Sequence, residues 1–330
     1  MKKLINQTEQ VVNEMLDGVV KAHPNYVRRL EGFNVLVRKE SPIKGKVALV
    51  SGGGSGHEPA HGGYVGLGML DGAVAGEVFT SPTPDQVFEA VKAVDSGEGV
   101  LLVIKNYSGD VMNFEMAAEM AEMEDIKVEK VIVNDDVAVE NSTYTTGRRG
   151  IAGTLFVHKI AGAAAEAGKD LAEVKRVAEK VIANVRTMGM SLTPCIVPAA
   201  GKPGFELPED EFEMGLGIHG EPGTHREKMK SAKEIVNDLL AKILEDIKIE
   251  EGEDVAIMVN GLGGTPLMEL YVMNNDVHVL LEEKGLNIYK TIIGNMMTSL
   301  EMQGASVTVL KLDEELKGYL DAKADTPAWK

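Results

Sequence analysis

The chain has 330 residues, enough for two domains that each bury a core. With 34 Lys and Arg against 51 Asp and Glu, its net charge of -17 excludes a binder of nucleic-acid backbone, which needs clustered cations, and points to small molecules or proteins as partners. A single cysteine, Cys195, excludes an intrachain disulfide, and no stretch reaches the roughly 18 apolar residues of a membrane span, so a cytoplasmic protein with no membrane contact is expected.

Two lysines open the sequence in MKKLINQTEQ without an apolar run behind them, so no secretory leader is expected. Val11, Val12, Met15, Leu16, Val19 and Val20 then recur at helical spacing, and Pro24 stops the run. KVALV (46–50), GVLLVI (99–104) and VEKVIV (128–133) are short β-branched apolar runs without alternation, as in strands covered on both faces, and predict a mostly parallel sheet. Thr83-Pro84-Asp85-Gln86 places a cap residue, a proline and then Gln three after the cap, which predicts a capping box and a helix through Val94. Met112, Met116, Met120 and Met123 mark the next helix. Strands alternating with helices predict an α/β N-terminal domain over 1–188, its sheet flanked by helices.

DLAEVKRVAEKVIANVRTMG (170–189) reads as one long helix ending at Gly189, and the Pro- and Gly-rich stretch after it places the boundary. The C-terminal domain, 189–330, is expected to be α/β or α+β. Its strands are predicted in EMGLGI, DVAIMV, NIYKTI and SVTVLKL, and an amphipathic helix over HREKMKSAKEIVNDLLAKILEDI. No internal repeat is evident.

The chemistry concentrates where KVALV runs into SGGGSGHEPAHGG (51–63). A P-loop needs Lys and Ser or Thr after its glycines, and His57 and Glu58 stand there instead. A zinc helix needs His57 and His61 on one face, but Pro59 and the flanking glycines leave no room for that helix, so no metal is expected. What remains is a strand-to-turn loop whose backbone N–H groups and one imidazole face a small ligand. Glycines that merely permit a tight turn are the plainer reading. Two further segments favour the ligand. IKNYSGDVMNFEMAAEM puts Lys105 at the carboxyl end of a strand, where open α/β sheets bind ligands, and Asp110 at the start of the methionine-striped helix. Asp110 could equally serve as a helix N-cap and Lys105 as a surface lysine. GLGIHGEPG (215–223) sets His219 between glycines after an apolar strand, with His-Glu-Pro letters akin to those of the first loop.

Taken together, KVALVSGGGSGHEP, GEVFTSPTPDQVFEA, GVLLVIKNYSGDVMNFE, NDDVAV, GRRGIAGT, PAAGKP, GLGIHGEPG, GGTPLMELY and TSLEMQGASVT, in this order, resemble the dihydroxyacetone kinase family in its K-type, substrate-binding subunit. The resemblance runs essentially end to end. It implies that His219 bonds covalently to the carbonyl carbon of dihydroxyacetone as a hemiaminal, and that Gly54, Ser55, Gly56, His57, Lys105 and Asp110 line the substrate site. Neutral imidazole can add to a ketone, whereas glycerol offers no electrophilic carbon, so such a bond selects short ketones. Asp110 is then expected to take the reacting hydroxyl's proton, with His57 assisting or sharing that role. Because no Walker motif is present and the sequence stops at Lys330, the resemblance further implies no cofactor in this chain. ADP or ATP and magnesium are expected on a partner subunit L, recharged by a phosphohistidine on subunit M of the phosphotransferase system at the expense of phosphoenolpyruvate. A homodimer is implied as well. Alternative readings are a non-catalytic dihydroxyacetone-binding co-activator, a kinase for another short ketose such as erythrulose, and a metal hydrolase using His57 and His61. Retention of His57, Lys105 and Asp110 together favours the kinase over a pure sensor.

Overall fold

A computed structural model of the chain describes residues 2–142 and 145–330. Two six-stranded sheets organise it. The first contains β1 (Val27–Arg29), β2 (Val35–Arg38), β3 (Ala48–Ser55), β4 (Gly72–Val78), β5 (Val100–Lys105) and β6 (Val128–Val133), in the order β1-β2-β4-β3-β5-β6. The pairs β4–β3, β3–β5 and β5–β6 are parallel, while β1–β2 and β2–β4 are antiparallel. Every residue of β3 and β5 is buried, which explains why both read as unbroken apolar runs. Helices α2 (Pro84–Val94) and α3 (Ser108–Glu122) cover one face, α4 (Thr154–Glu166) and α5 (Leu171–Asn184) the other, and α1 (Val11–Ala22) packs on Leu36 and Ala75 at the sheet's far side.

The second sheet takes β7 (Val185–Ser191), β8 (Glu211–Met214), β9 (His225–Lys228), β10 (Asp254–Gly261), β11 (Asn287–Gly294) and β12 (Gly304–Leu312), ordered β11-β10-β12-β7-β8-β9. Only β10–β11 is parallel. Helices α6 (Ala232–Asp246) and α7 (Leu267–Glu283) cover its outer face. Its inner face meets α4 and α5, and α8 (Glu314–Asp321) closes the same core through Leu316 and Leu320, so one apolar interior is common to both sheets. The residues after α8 return to the first sheet's loops: Leu67 and Asp325 exchange backbone hydrogen bonds at 3.1 and 2.9 Å, and Ala328 N–H donates to Gly63 O at 2.9 Å. The expected boundary between 188 and 189 falls inside β7.

The helix predicted over 170–189 stops at Asn184, because Val185–Leu310 pairing draws the next seven residues into the second sheet between β12 and β8. Helix α2 starts after Thr83 as predicted, but without a capping box. The Gln86 side-chain Oε1 instead accepts the Asn34 N–H at 2.8 Å, a long-range demand that outweighs the local cap. The box forms further on, where Ser231 and Glu234 satisfy each other's backbone N–H and start α6. That shortens the helix predicted from His225, and 225–228 become edge strand β9. The strand predicted over EMGLGI ends at Met214.

Candidate functional site

Strand β3 is rich in glycine towards its carboxyl end, which is pressed from two sides. A Cβ at Gly53 (φ +152°) would lie 2.4 Å from Lys105 Nζ and 3.3 Å from Asp110 Oδ2. At Gly56 (φ +106°) a Cβ would lie 2.7 Å from the Phe79 ring. Phe79 itself holds φ +57°, a conformation that costs a non-glycine residue energy and recurs where a site over-determines it. The Ser55 hydroxyl donates to Gly76 O at 2.7 Å, so this side chain serves the scaffold.

Lys105, the last residue of β5, is fully buried and donates to Gly52 O at 3.3 Å, with Asp110 Oδ2 3.6 Å away. Burial lowers its ammonium from the ordinary lysine range, and Asp110 partly restores it. Asp110 is the third residue of α3, not its N-cap, which is Tyr107. Its side chain turns inward: Asp110 is buried, and Oδ1 has no hydrogen-bond partner.

The histidines converge from opposite sheets. His57 follows β3 and His219 follows β8, and their rings meet edge-on with centroids 4.7 Å apart. Phe79 stacks on His57 at 5.1 Å, while Phe79 and Tyr107 present edges to His219 at 5.2 and 4.6 Å. The His57 loop is clamped by the other half of the molecule, with Leu300 N–H to Gly56 O at 2.8 Å and Thr298 Oγ1 to Glu58 O at 2.9 Å. His57 Nδ1 lies 2.8 Å from Thr298 O, which can only accept, so the proton sits on Nδ1 and Nε2 carries the lone pair. Burial, then the charges of His219 and Lys105, push His57 well below the usual imidazole range and keep it neutral. Its Nε2 has no partner. His219 is 17% exposed at its side chain, with Nδ1 2.8 Å from Glu221 Oε1 and its backbone N–H donating to Glu221 Oε2 at 2.9 Å.

The structure thus brings together Gly54, Gly56, His57, Lys105, Asp110 and His219, along with Phe79, Tyr107, Thr298 and Glu221, which the sequence reading did not single out. Glu221 had a visible cue, two residues after His219 in GIHGEPG, but its direction depends on a turn no pattern encodes. A buried polar atom left unpaired costs about 1–3 kcal/mol, and His57 Nε2 and Asp110 Oδ1 are two such atoms, both able to accept a hydrogen bond. His61 takes a separate partner, with Nδ1 3.0 Å from Nε2 of buried His158. Among the described residues no three His, Cys, Asp or Glu side chains gather as a metal-holding group, and no helix is long and apolar enough to cross a membrane.

Two α/β sheets meeting over a buried and a partly open histidine define the class, and comparison with known proteins gives the family. The Dak1 domain family model matches residues 17–328. The chain is 58% identical, over all of both chains, to the PTS-dependent dihydroxyacetone kinase 1, dihydroxyacetone-binding subunit DhaK of Listeria innocua. Identity is 45% over 99% of each chain to the PEP-dependent dihydroxyacetone kinase, dihydroxyacetone-binding subunit DhaK of Escherichia coli. Among solved structures, the dihydroxyacetone kinase of C. freundii superposes with TM-score 0.92 at 36% identity, covering 99% of this chain and 60% of that one. The dihydroxyacetone kinase operon co-activator Dha-DhaQ superposes with TM-score 0.89 at 38% identity, covering 96% and 97%. The chain belongs to the Dak1 family.

Proposed function

We propose that this chain is the dihydroxyacetone-binding subunit of a phosphotransferase-system-dependent kinase, the acceptor half of an enzyme that phosphorylates dihydroxyacetone to dihydroxyacetone phosphate. The observation that carries this reading is the cage of His57, Phe79 and Tyr107 around His219, beside the partnerless oxygen of Asp110. His219 traps the carbonyl carbon as a hemiaminal, and one hydroxyl of the bound ketone then meets Asp110 and neutral His57. The carboxylate takes the proton as the phosphoryl group arrives, and the covalent bond supplies the positioning on which phosphoryl transfer depends. Lys105 holds Asp110 in place, and the backbone of Gly54, Ser55 and Gly56 forms the loop floor. The phosphate comes from nucleotide and magnesium on a subunit L, recharged through a subunit M. Full-length identity with binding subunits named PTS- and PEP-dependent supports this division of labour. We carry a homodimer and a cytoplasmic location forward as part of the reading.

A coupled assay of the chain with dihydroxyacetone, subunits L and M and phosphoenolpyruvate tests reaction, donor and partners together. Intact-protein mass after incubation with dihydroxyacetone should rise by one substrate. Phosphorylation by the chain alone with ATP would remove the partner from the scheme. A second reading, a dihydroxyacetone-binding co-activator, draws support from the shared fold with the operon co-activator. It predicts the same adduct with no turnover in the coupled assay. Offering erythrulose beside dihydroxyacetone settles which short ketose is preferred.

A further inference from the structure

Two sequence stretches, NDDVAV (134–139) and GRRGIAGT (147–154), have no part in the reading above, yet they meet at a buried ion pair behind His219. Asp135 folds them together, its carboxylate accepting the Ile151 N–H at 2.7 Å and the Gly153 N–H at 2.8 Å. Asp136 Oδ2 then accepts Arg149 Nε–H at 2.7 Å, and Arg149 Nη2 donates across to Gly215 O at 2.8 Å, in the turn that leads to His219. Arg149 is completely buried. Gly217 lies between Arg149 and Glu221, which share no hydrogen bond: a Cβ there would lie 2.7 Å from Arg149 Nη1, itself without a partner, and 2.2 Å from Glu221 Oε2.

We propose that Glu221 is a positioning residue for His219, and that the Asp136–Arg149 pair is the fixed base from which it acts. The proposal rests on the reading of His219 as the ketone-trapping nucleophile. With both carboxylate oxygens taken up by His219, one on Nδ1–H and one on the backbone N–H, the ring can present only Nε2, lone pair outward, to a ligand. In the addition, that lone pair forms the bond to the carbonyl carbon, the C=O electron pair moves to oxygen, and oxygen takes a proton from water, whose hydroxide passes to solvent. The ring keeps its Nδ1 proton and gains a positive charge facing the Glu221 carboxylate. The ketone loses no group and nothing is oxidised. A carboxylate behind histidine plays the equivalent part in Ser-His-Asp triads, where it fixes the tautomer and stabilises the imidazolium.

The charged and titratable groups facing Glu221 are His219, Arg149, Tyr107 and, behind Arg149, Asp136. Burial alone would raise the Glu221 carboxyl, but His219 and Arg149 outweigh it and hold it at about 2. The base matters for a second reason. Asp136 and Arg149 follow β6 of the first sheet, whereas His219 and Glu221 follow β8 of the second, so the nucleophile is held in register with the sheet that carries Lys105 and Asp110.

Nitrogen-15 NMR of the histidine rings in the ligand-free protein tests the tautomer without any variant. His219, identified by its loss in His219→Ala, is expected to carry its proton on Nδ1, and a neutral ring protonated on Nε2 overturns the proposal. In Glu221→Gln, the dissociation constant of the dihydroxyacetone adduct, read by intact mass, should rise about 10- to 100-fold, and Glu221→Asp should recover part of the loss. Adduct formation by Glu221→Gln within twofold of wild type overturns the positioning role. A wild-type protein that forms no adduct sinks the covalent reading instead, and the NMR tautomer then still decides what Glu221 does.

Discussion

Two loops of this molecule carry nearly the same letters, Gly-His-Glu-Pro after β3 and His-Gly-Glu-Pro after β8, and give their histidines opposite surroundings. His57 is sealed from solvent with a backbone carbonyl behind its Nδ1; His219 is partly open with a buried carboxylate behind the same atom. A carbonyl fixes the tautomer and adds no charge, so His57 remains a neutral acceptor. A carboxylate fixes it and also steadies a cation, as a nitrogen that bonds carbon requires. The difference lies one atom behind each ring, in what the loop folds against, and the loop sequences alone hide it.

The sharpest way to break the comparison is His219→Ala, which should abolish the mass adduct while His57→Asn retains it; an adduct surviving in His219→Ala would transfer the nucleophile elsewhere. Next in size, His57→Asn and Asp110→Asn should each lower turnover in the coupled assay by about 10²- to 10⁴-fold. Near-wild-type rates in both would take the reacting hydroxyl away from these two groups.

A third histidine extends the contrast to stability. Burial, then the charge of Lys105, pushes His158 down to about 3. The unfolded chain binds this proton below about pH 6.5 and the folded chain does not, so folding weakens as pH falls from there, with a slope that approaches ~1.4 kcal/mol per pH unit below about pH 5.5. In urea unfolding, His158→Gln should therefore gain on wild type by about 1 kcal/mol between pH 6.5 and 5.5. A constant difference across that range would mean that His158 is charged when folded. The smallest effect belongs to Glu58, the first loop's counterpart of Glu221. It stands at the lip of two cavities with both oxygens 3.1 Å from Gly56 N–H, and Glu58→Gln retains an acceptor there. Adduct formation should change less than about twofold, as for most substitutions outside a buried network; a loss comparable to Glu221→Gln would erase the distinction drawn between the loops.

The fold was legible wherever burial alone sets the pattern. KVALV and GVLLVI became β3 and β5 because strands covered on both faces carry no competing signal, while VEKVIV became β6, an edge strand with Lys130 exposed. Helix α4 was missed for the same physical cause acting on a helix: from Thr154 to Ala165 every residue is buried, so no polar face marks its period. Val185–Gly189 looked helical by continuity and became part of β7 through pairing with β12. At the site, histidine, lysine and aspartate stood out by type and by their place at strand ends. Phe79 and Tyr107 did not, because an aromatic residue beside a loop has no signature until the chain closes around it.

The returning tail has a practical consequence. The protein's one tryptophan, Trp329, lies in it, with its backbone N–H donating to Thr326 Oγ1 at 2.9 Å while that hydroxyl donates to Gly63 O at 2.9 Å, on the loop that carries His61. Intrinsic fluorescence excited at the indole therefore reports whether the last residues are docked behind the histidine loop, a built-in optical probe for a site that contains no indole itself.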